Sequence, residues 1–145
     1  MAYQKSLQLF DLVVQDLVKF LPDRRMERLV SQQLASADSV CSNIEEGYGR
    51  ESTVEYRRYL IIARGSLRET QGRYRRLHHW MPPALINLRV GLAEEINGIL
   101  SATIKRLATR PSSPPGHQPP APSHSLLAPR PSPPATSHQP LATSH

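Results

Sequence analysis

Between Arg50 and Arg76 the chain carries eight arginines against three acids, Glu51, Glu55 and Glu69. A guanidinium keeps its charge at any physiological pH and offers a planar fork of donors, so this run suits anion binding rather than proton transfer. On a helical wheel, Arg57, Arg64, Arg68 and Arg75 fall within about 40° of one another, roughly a quarter turn from the apolar stripe of the same segment. They span about 27 Å of helix, and Arg50 stands just upstream. Such a track fits a phosphate backbone, with salt-sensitive and largely sequence-independent affinity, and Tyr48, Tyr74 and Trp80 could add stacking. The same arginines could instead cover apolar surface with their stems, or pair with acids of a neighbouring helix or subunit.

Other reactive types are sparse. His78 and His79 are adjacent, point to different sides of a helix end and make a poor pair of ligands for one metal. A di-metal carboxylate bundle needs Glu-x-x-His on two helices, but Gly72 follows Glu69 at that spacing, Asn97 follows Glu94 and Gly98 follows Glu95. Glu45 and Glu46 beside Gly47 read as helix-end chemistry, and the single cysteine, Cys41, reads as a small buried residue without an activating histidine. These residues predict no enzyme, no cofactor and no metal. The net charge of +6 and pI near 10.0 favour acidic partners. No stretch approaches the roughly 20 apolar residues of a membrane span and no export signal opens the chain. A cytoplasmic protein with no membrane association is expected.

Four helices must position the arginines. Leu7, Phe10, Val14, Leu17 and Leu21 recur at helical spacing, which predicts a helix over about 6–20, closed by Pro22. A second is predicted over about 24–48, with Met26, Val30, Ala37, Val40, Ile44 and Tyr48 on one side and polar Gln33 interrupting. Gly47 and Gly49 are expected to supply positive φ at its end, and Ser52 with Glu55 forms a capping box for the next helix. That third helix, from Val54 to about His79, keeps Tyr56, Leu60, Ala63, Leu67, Thr70, Tyr74 and Leu77 in register, and small Ala63 and Gly65 would admit a close neighbour. A fourth begins near Pro83, with Leu85, Leu88, Leu92, Ile96, Ile99, Thr103 and Leu107 as its stripe. Short connections and no strand-like alternation give an all-α, antiparallel up-down-up-down four-helix bundle over 1–109.

From Arg110 the composition shifts: 11 of 14 prolines and 4 of 6 histidines fall in the last 36 residues, with no acid. A Pro-, Ser-, His- and Ala-rich segment of this kind cannot build a core, and 110–145 is expected to be a disordered low-complexity tail. Its Pro-x-x-Pro spacings at 111–114, 119–122 and 131–134 suit proline-recognising modules but also arise by chance in such composition.

Two motifs are specific. Asn43-Ile44-Glu45-Glu46-Gly47-Tyr48-Gly49-Arg50 and Ala63-Arg64-Gly65-Ser66-Leu67-Arg68-Glu69 arrive in order, preceded by Phe20-Leu21-Pro22 and Gln32. Over residues 5–109 the chain resembles the bacterial four helix bundle protein family encoded within intervening sequences of 23S rRNA genes. The resemblance implies a homopentameric ring, and kinship with the accessory variability determinant of diversity-generating retroelements, a basic ring that associates with a reverse transcriptase and nucleic acid. It marks Asn43, Glu46, Gly47, Gly49 and Arg50, and Ala63, Gly65, Ser66 and Glu69, as the motif positions. Leu34 and Ala35 replace an arginine pair common in the family, and Cys41 a common proline. The leading expectation is a nucleic-acid-binding oligomer; the alternative is a structural or protein-interaction oligomer with no nucleic-acid ligand.

Overall fold

The structure, a computed structural model, describes residues 1–109. The proline-rich segment from 110, with its Pro-x-x-Pro motifs and its expected disorder, lies outside the described residues. Helix α1 spans Ala2–Leu17 and runs into a 3-10 turn, Val18–Phe20, before Pro22. Helix α2 spans Glu27–Tyr48, α3 spans Thr53–Arg76 with a 3-10 turn at Leu77–His79, and α4 spans Pro83–Ala108. Each helix packs on the next and α1 closes against α4, which makes the predicted antiparallel four-helix bundle. All described regular structure is helical.

Local chemistry sets several boundaries. The Ser52 hydroxyl accepts the Glu55 amide at 3.1 Å, as the capping box predicts. Pro83 opens α4, where a missing N–H costs nothing. The corner between α2 and α3 departs from expectation. Gly49 has φ −75° and ψ −4°, ordinary right-handed values, and Gly47 lies within α2. Neither glycine is there for a positive φ. Gly47 instead lets the end of α2 press on α3: a Cβ at that position would stand 2.7 Å from Tyr59 Cβ.

Two predicted stripes are only partly in phase with the core: Leu17, Ile96 and Leu107 are buried and Phe10, Leu85 and Leu92 pack against its edge, but other members face out. In α1 the buried line is Ser6, Leu9, Val13, Asp16 and Leu17, while Leu7, Val14 and Leu21 are exposed. In α4 it is Ile86, Ala93, Ile96, Leu100, Ile104 and Leu107, and Leu88 is 67% exposed. Both errors have one cause. Asp16 and Arg89 occupy inward positions of these helices, so each true core line contains a charge, and a parallel apolar line on the flank looks cleaner. Arg89 Nε and a terminal guanidinium nitrogen reach the two Asp16 carboxylate oxygens at 2.8 and 3.0 Å. Tyr74 of α3, itself fully buried, donates its phenol to Asp16 at 2.8 Å. Three helices are thereby tied at one point.

Helices α2 and α3 meet along a neutral polar seam. Gln33, completely buried, donates through Nε2 to the Thr70 carbonyl at 3.1 Å, and the Thr70 hydroxyl donates to Ser36 at 2.9 Å. Ser39 and Ser66 share a hydrogen bond of 2.9 Å, and Asn43 donates to the Ser39 carbonyl at 2.7 Å. The polar "interruption" in α2 is therefore part of the contact.

Candidate nucleic-acid interface

The motif residues are structural in their contacts. Asn43 and Ser66 meet through Ser39. Glu46 forms an ion pair with Arg50, one turn on. Arg50 also donates to the Tyr59 hydroxyl at 2.7 Å and lies 5.0 Å from the centre of the Tyr59 ring, so it fastens the corner to α3. Glu69 pairs with Arg73 at 3.3 Å. Gly65 is exposed, with nothing within 4 Å of where its Cβ would be; Ala63, by contrast, is buried against the core.

Helix α3 presents Arg57, Arg64, Arg68 and Arg75 along the flank that adjoins α4. Their surroundings differ. Arg75 contacts Glu94 of α4 at 3.3 Å, an exposed pair worth a fraction of a kcal/mol. Arg64 reaches the Ser101 hydroxyl at 3.4 Å. Arg57 is half-buried, with its Nε shielded from solvent and without a hydrogen-bond partner. Arg68 is exposed and has no carboxylate partner among the described residues. The line thus has one end of its charge engaged by α4 and a stretch left open.

The aromatic residues also divide. Tyr74 cannot stack on a base, because it lies in the core holding Asp16, and burial followed by that carboxylate pushes its phenol far up. Tyr48 sits edge-on to Tyr56 with ring centres 6.4 Å apart. Trp80 remains 49% exposed. Cys41 is buried, which raises its thiol and keeps it protonated at neutral pH. Among the described residues no cluster of three His, Cys, Asp or Glu side chains is placed to hold a metal ion, and no helix is long and apolar enough to cross a membrane.

Sequence reasoning placed the charge on one flank and underweighted the bundle end formed by the connections α1–α2 and α3–α4. There Lys19, Arg24, Arg28 and Arg76 are all exposed and make no ion pair among the described residues. The signal available in the sequence was their position beside the two prolines-bounded connections.

Fold and surface together define a basic all-α bundle with a motif-stitched α2–α3 corner. The 23S rRNA-intervening sequence protein model matches residues 1–80, more than half the chain, and this chain belongs to that family. It is also similar to a crystal structure of a protein of unknown function from the S23 ribosomal protein family of Bacteroides thetaiotaomicron. The two are 27% identical with a TM-score of 0.65, and the likeness covers 72% of this chain and 99% of that one. No functionally curated protein matches the chain.

Proposed function

We propose that the chain is a non-enzymatic, self-associating bundle that holds RNA or DNA by the phosphate backbone, beside an rRNA-associated element or as an accessory to a reverse transcriptase. The observation that carries this reading is the set of arginines on the α3 flank that have no carboxylate partner among the described residues, Arg57, Arg64 and Arg68. Unpaired guanidinium groups on a chain of net charge +6 attract a polyanion and release its counterions. Self-association, as the pentamer implied by the family resemblance, draws support from Val54, Ile61 and Ile62, which α3 turns outward, and from Val18 and Leu21 after α1. A filter-binding titration with single- and double-stranded RNA at two salt concentrations tests the nucleic-acid reading. Binding that falls steeply with salt is expected, and glutamine at Arg57, Arg64, Arg68 and Arg75 should flatten the dependence by about 0.7–0.9 of a log unit per lost contact. No binding at low salt rejects it.

A second reading, a structural or protein-interaction oligomer, is favoured by the open outer face at Gly65 between Ile61 and Arg68. Small residues on an outward helix face let a second helix approach closely, and the flanking arginines would then pair across subunits. In that case the same four substitutions dissociate the assembly in sedimentation and leave any RNA affinity unchanged.

A further inference from the structure

The antiparallel order of the helices brings the α1–α2 and α3–α4 connections to the same end of the bundle. Asp16, near the end of α1, meets Tyr74 near the end of α3 and Arg89 near the start of α4, which fixes that alignment. Residues 16–28 and 73–89 hold eight of the sixteen lysines and arginines of the described bundle. Four of the eight are in ion pairs: Arg25 with Asp23, Arg73 with Glu69, Arg75 with Glu94 and Arg89 with Asp16, while Lys19 lies 4.9 Å from the centre of the Phe20 ring without a carboxylate partner. The remaining four, Lys19, Arg24, Arg28 and Arg76, face a single unpaired acid, Glu27. Elsewhere in the bundle, six unpaired cations stand against five unpaired acids, so the free positive charge is concentrated at this end.

The same end carries a run of exposed rings. His78 and His79, expected to point to different sides, instead lie in the 3-10 turn with ring centres 3.8 Å apart, and Trp80 meets His79 edge to face at 5.6 Å. Trp80 has half its surface in solvent although the core lies immediately beside it, where Leu77 and Met81 are buried. An aromatic platform at the same end as these unpaired cations supplies the two components of single-strand recognition, a π face for a base and counter-charges for the phosphates that flank it. A duplex keeps its base faces stacked and can use only the second component.

We propose that this end of the bundle captures a single strand of nucleic acid, with a base stacked on Trp80 and the adjoining phosphates held by Lys19, Arg24, Arg28 and Arg76. The proposal rests on the nucleic-acid reading above and gives it a place: the arginine flank of α3 leads through Arg75 to Arg76 and the platform. Because every base offers a π face and the phosphates carry no sequence information, the site tolerates many sequences, with a preference for bases that stack well.

Trp80 is the only tryptophan in the chain, so its emission reports on this end alone. The full chain is titrated with a short oligoadenylate, with the matching duplex and with inorganic polyphosphate, following tryptophan fluorescence together with the anisotropy of a labelled strand. Saturable quenching by oligoadenylate is expected, with little from polyphosphate. Four phosphate contacts to a single strand should give a log–log salt slope near about −3, or roughly 50-fold weaker binding on going from about 50 to about 200 mM salt. Trp80→Ala should weaken oligoadenylate about tenfold and leave duplex binding unchanged; glutamine at the four free cations should weaken both ligands and flatten the slope. These side chains are exposed, and an unchanged far-ultraviolet helix signal verifies that the variants fold. If the labelled strand binds while Trp80 emission stays constant, or if polyphosphate quenches as oligoadenylate does, this site is overturned and the broader reading stands. If no nucleic acid binds, both fall together.

Discussion

The bundle contains two buried polar contacts built on opposite principles. At one end, Asp16, Arg89 and Tyr74 form an ionic cluster that joins α1, α3 and α4. Along α2 and α3, Gln33, Ser36, Ser39, Ser66 and Thr70 make a neutral seam, completed by the close approach at Gly47. The ionic cluster is strong only when complete, because each buried charge must be matched. The neutral seam carries no charge and, apart from Gln33, whose Oε1 is buried without a hydrogen-bond partner, consists of small groups, and it allows two helices to lie close together. The first fixes which helix ends meet, and the second sets how near the central pair can come.

Breaking the ionic cluster should have the largest effect. Arg89→Met keeps most of the volume but leaves the Asp16 carboxylate, whose side chain is 6% exposed, with only the Tyr74 phenol. A buried charge stripped of its partner costs about 3–5 kcal/mol. Asp16→Leu combined with Arg89→Met removes both charges and should recover most of that loss, the remainder reflecting the unpaired Tyr74 hydroxyl. Urea denaturation of the two single variants and the pair measures the coupling. Single variants that lose less than about 1 kcal/mol would show that water screens the pair as it does at a surface.

How far this arrangement can be read from sequence depends on range. Ser52 with Glu55, Pro22 and Pro83 act on neighbouring residues, and the helix boundaries they predict hold to within a few positions. The stripes of α1 and α4 are legible only in part because Asp16 and Arg89 sit in the core register, a choice that makes sense only once the two helices are known to be antiparallel neighbours. An unbroken register at Ser6, Leu9, Val13 and Leu17, with one acid in it, could have been matched to the register Ile86, Ala93, Ile96 and Leu100, with one base in it. The arginine flank was visible from the helical period alone, but which of its members meet Glu94 or Ser101 depends on α4 and not on α3. The motif glycines were recognised, although Gly47 serves close packing and not backbone conformation.

Gly47 and its neighbour Gly49 test the seam by contrast. Alanine at 47 puts a methyl group 2.7 Å from Tyr59 Cβ and 3.1 Å from the Tyr56 ring, so α2 and α3 must move apart. Overpacking of this kind costs about 1–3 kcal/mol. Alanine at 49 meets only the Glu46 carbonyl, at an ordinary 3.6 Å, and its backbone is already right-handed. The Gly49→Ala variant should lie within about 0.5 kcal/mol of the parent. Thermal melts that give equal losses at the two positions would mean that the corner, and not the helix spacing, is the sensitive element.

The smallest effect separates the two contacts by pH. Tyr74 titrates ordinarily at 10.0 and is raised in the folded chain, first by burial and then by its bond to Asp16. The unfolded chain therefore loses this proton as pH passes 10, while the folded chain keeps it, and stability falls with rising pH above that point. One such group contributes a slope of up to about 1.4 kcal/mol per pH unit. The Cys41 thiol, raised by burial from 9.0, adds a decline that begins earlier and is common to every variant. Tyr74→Phe should lower stability at neutral pH by about 1–2 kcal/mol through the lost hydrogen bond to a carboxylate, yet make the fall above pH 10 shallower than in the parent. Thr70→Val, which removes the Ser36 contact from the neutral seam, should shift the whole stability curve down without changing its shape. Parallel curves for both variants would mean that Tyr74 ionises as easily in the bundle as in the unfolded chain, and that the ionic cluster does not hold its phenol.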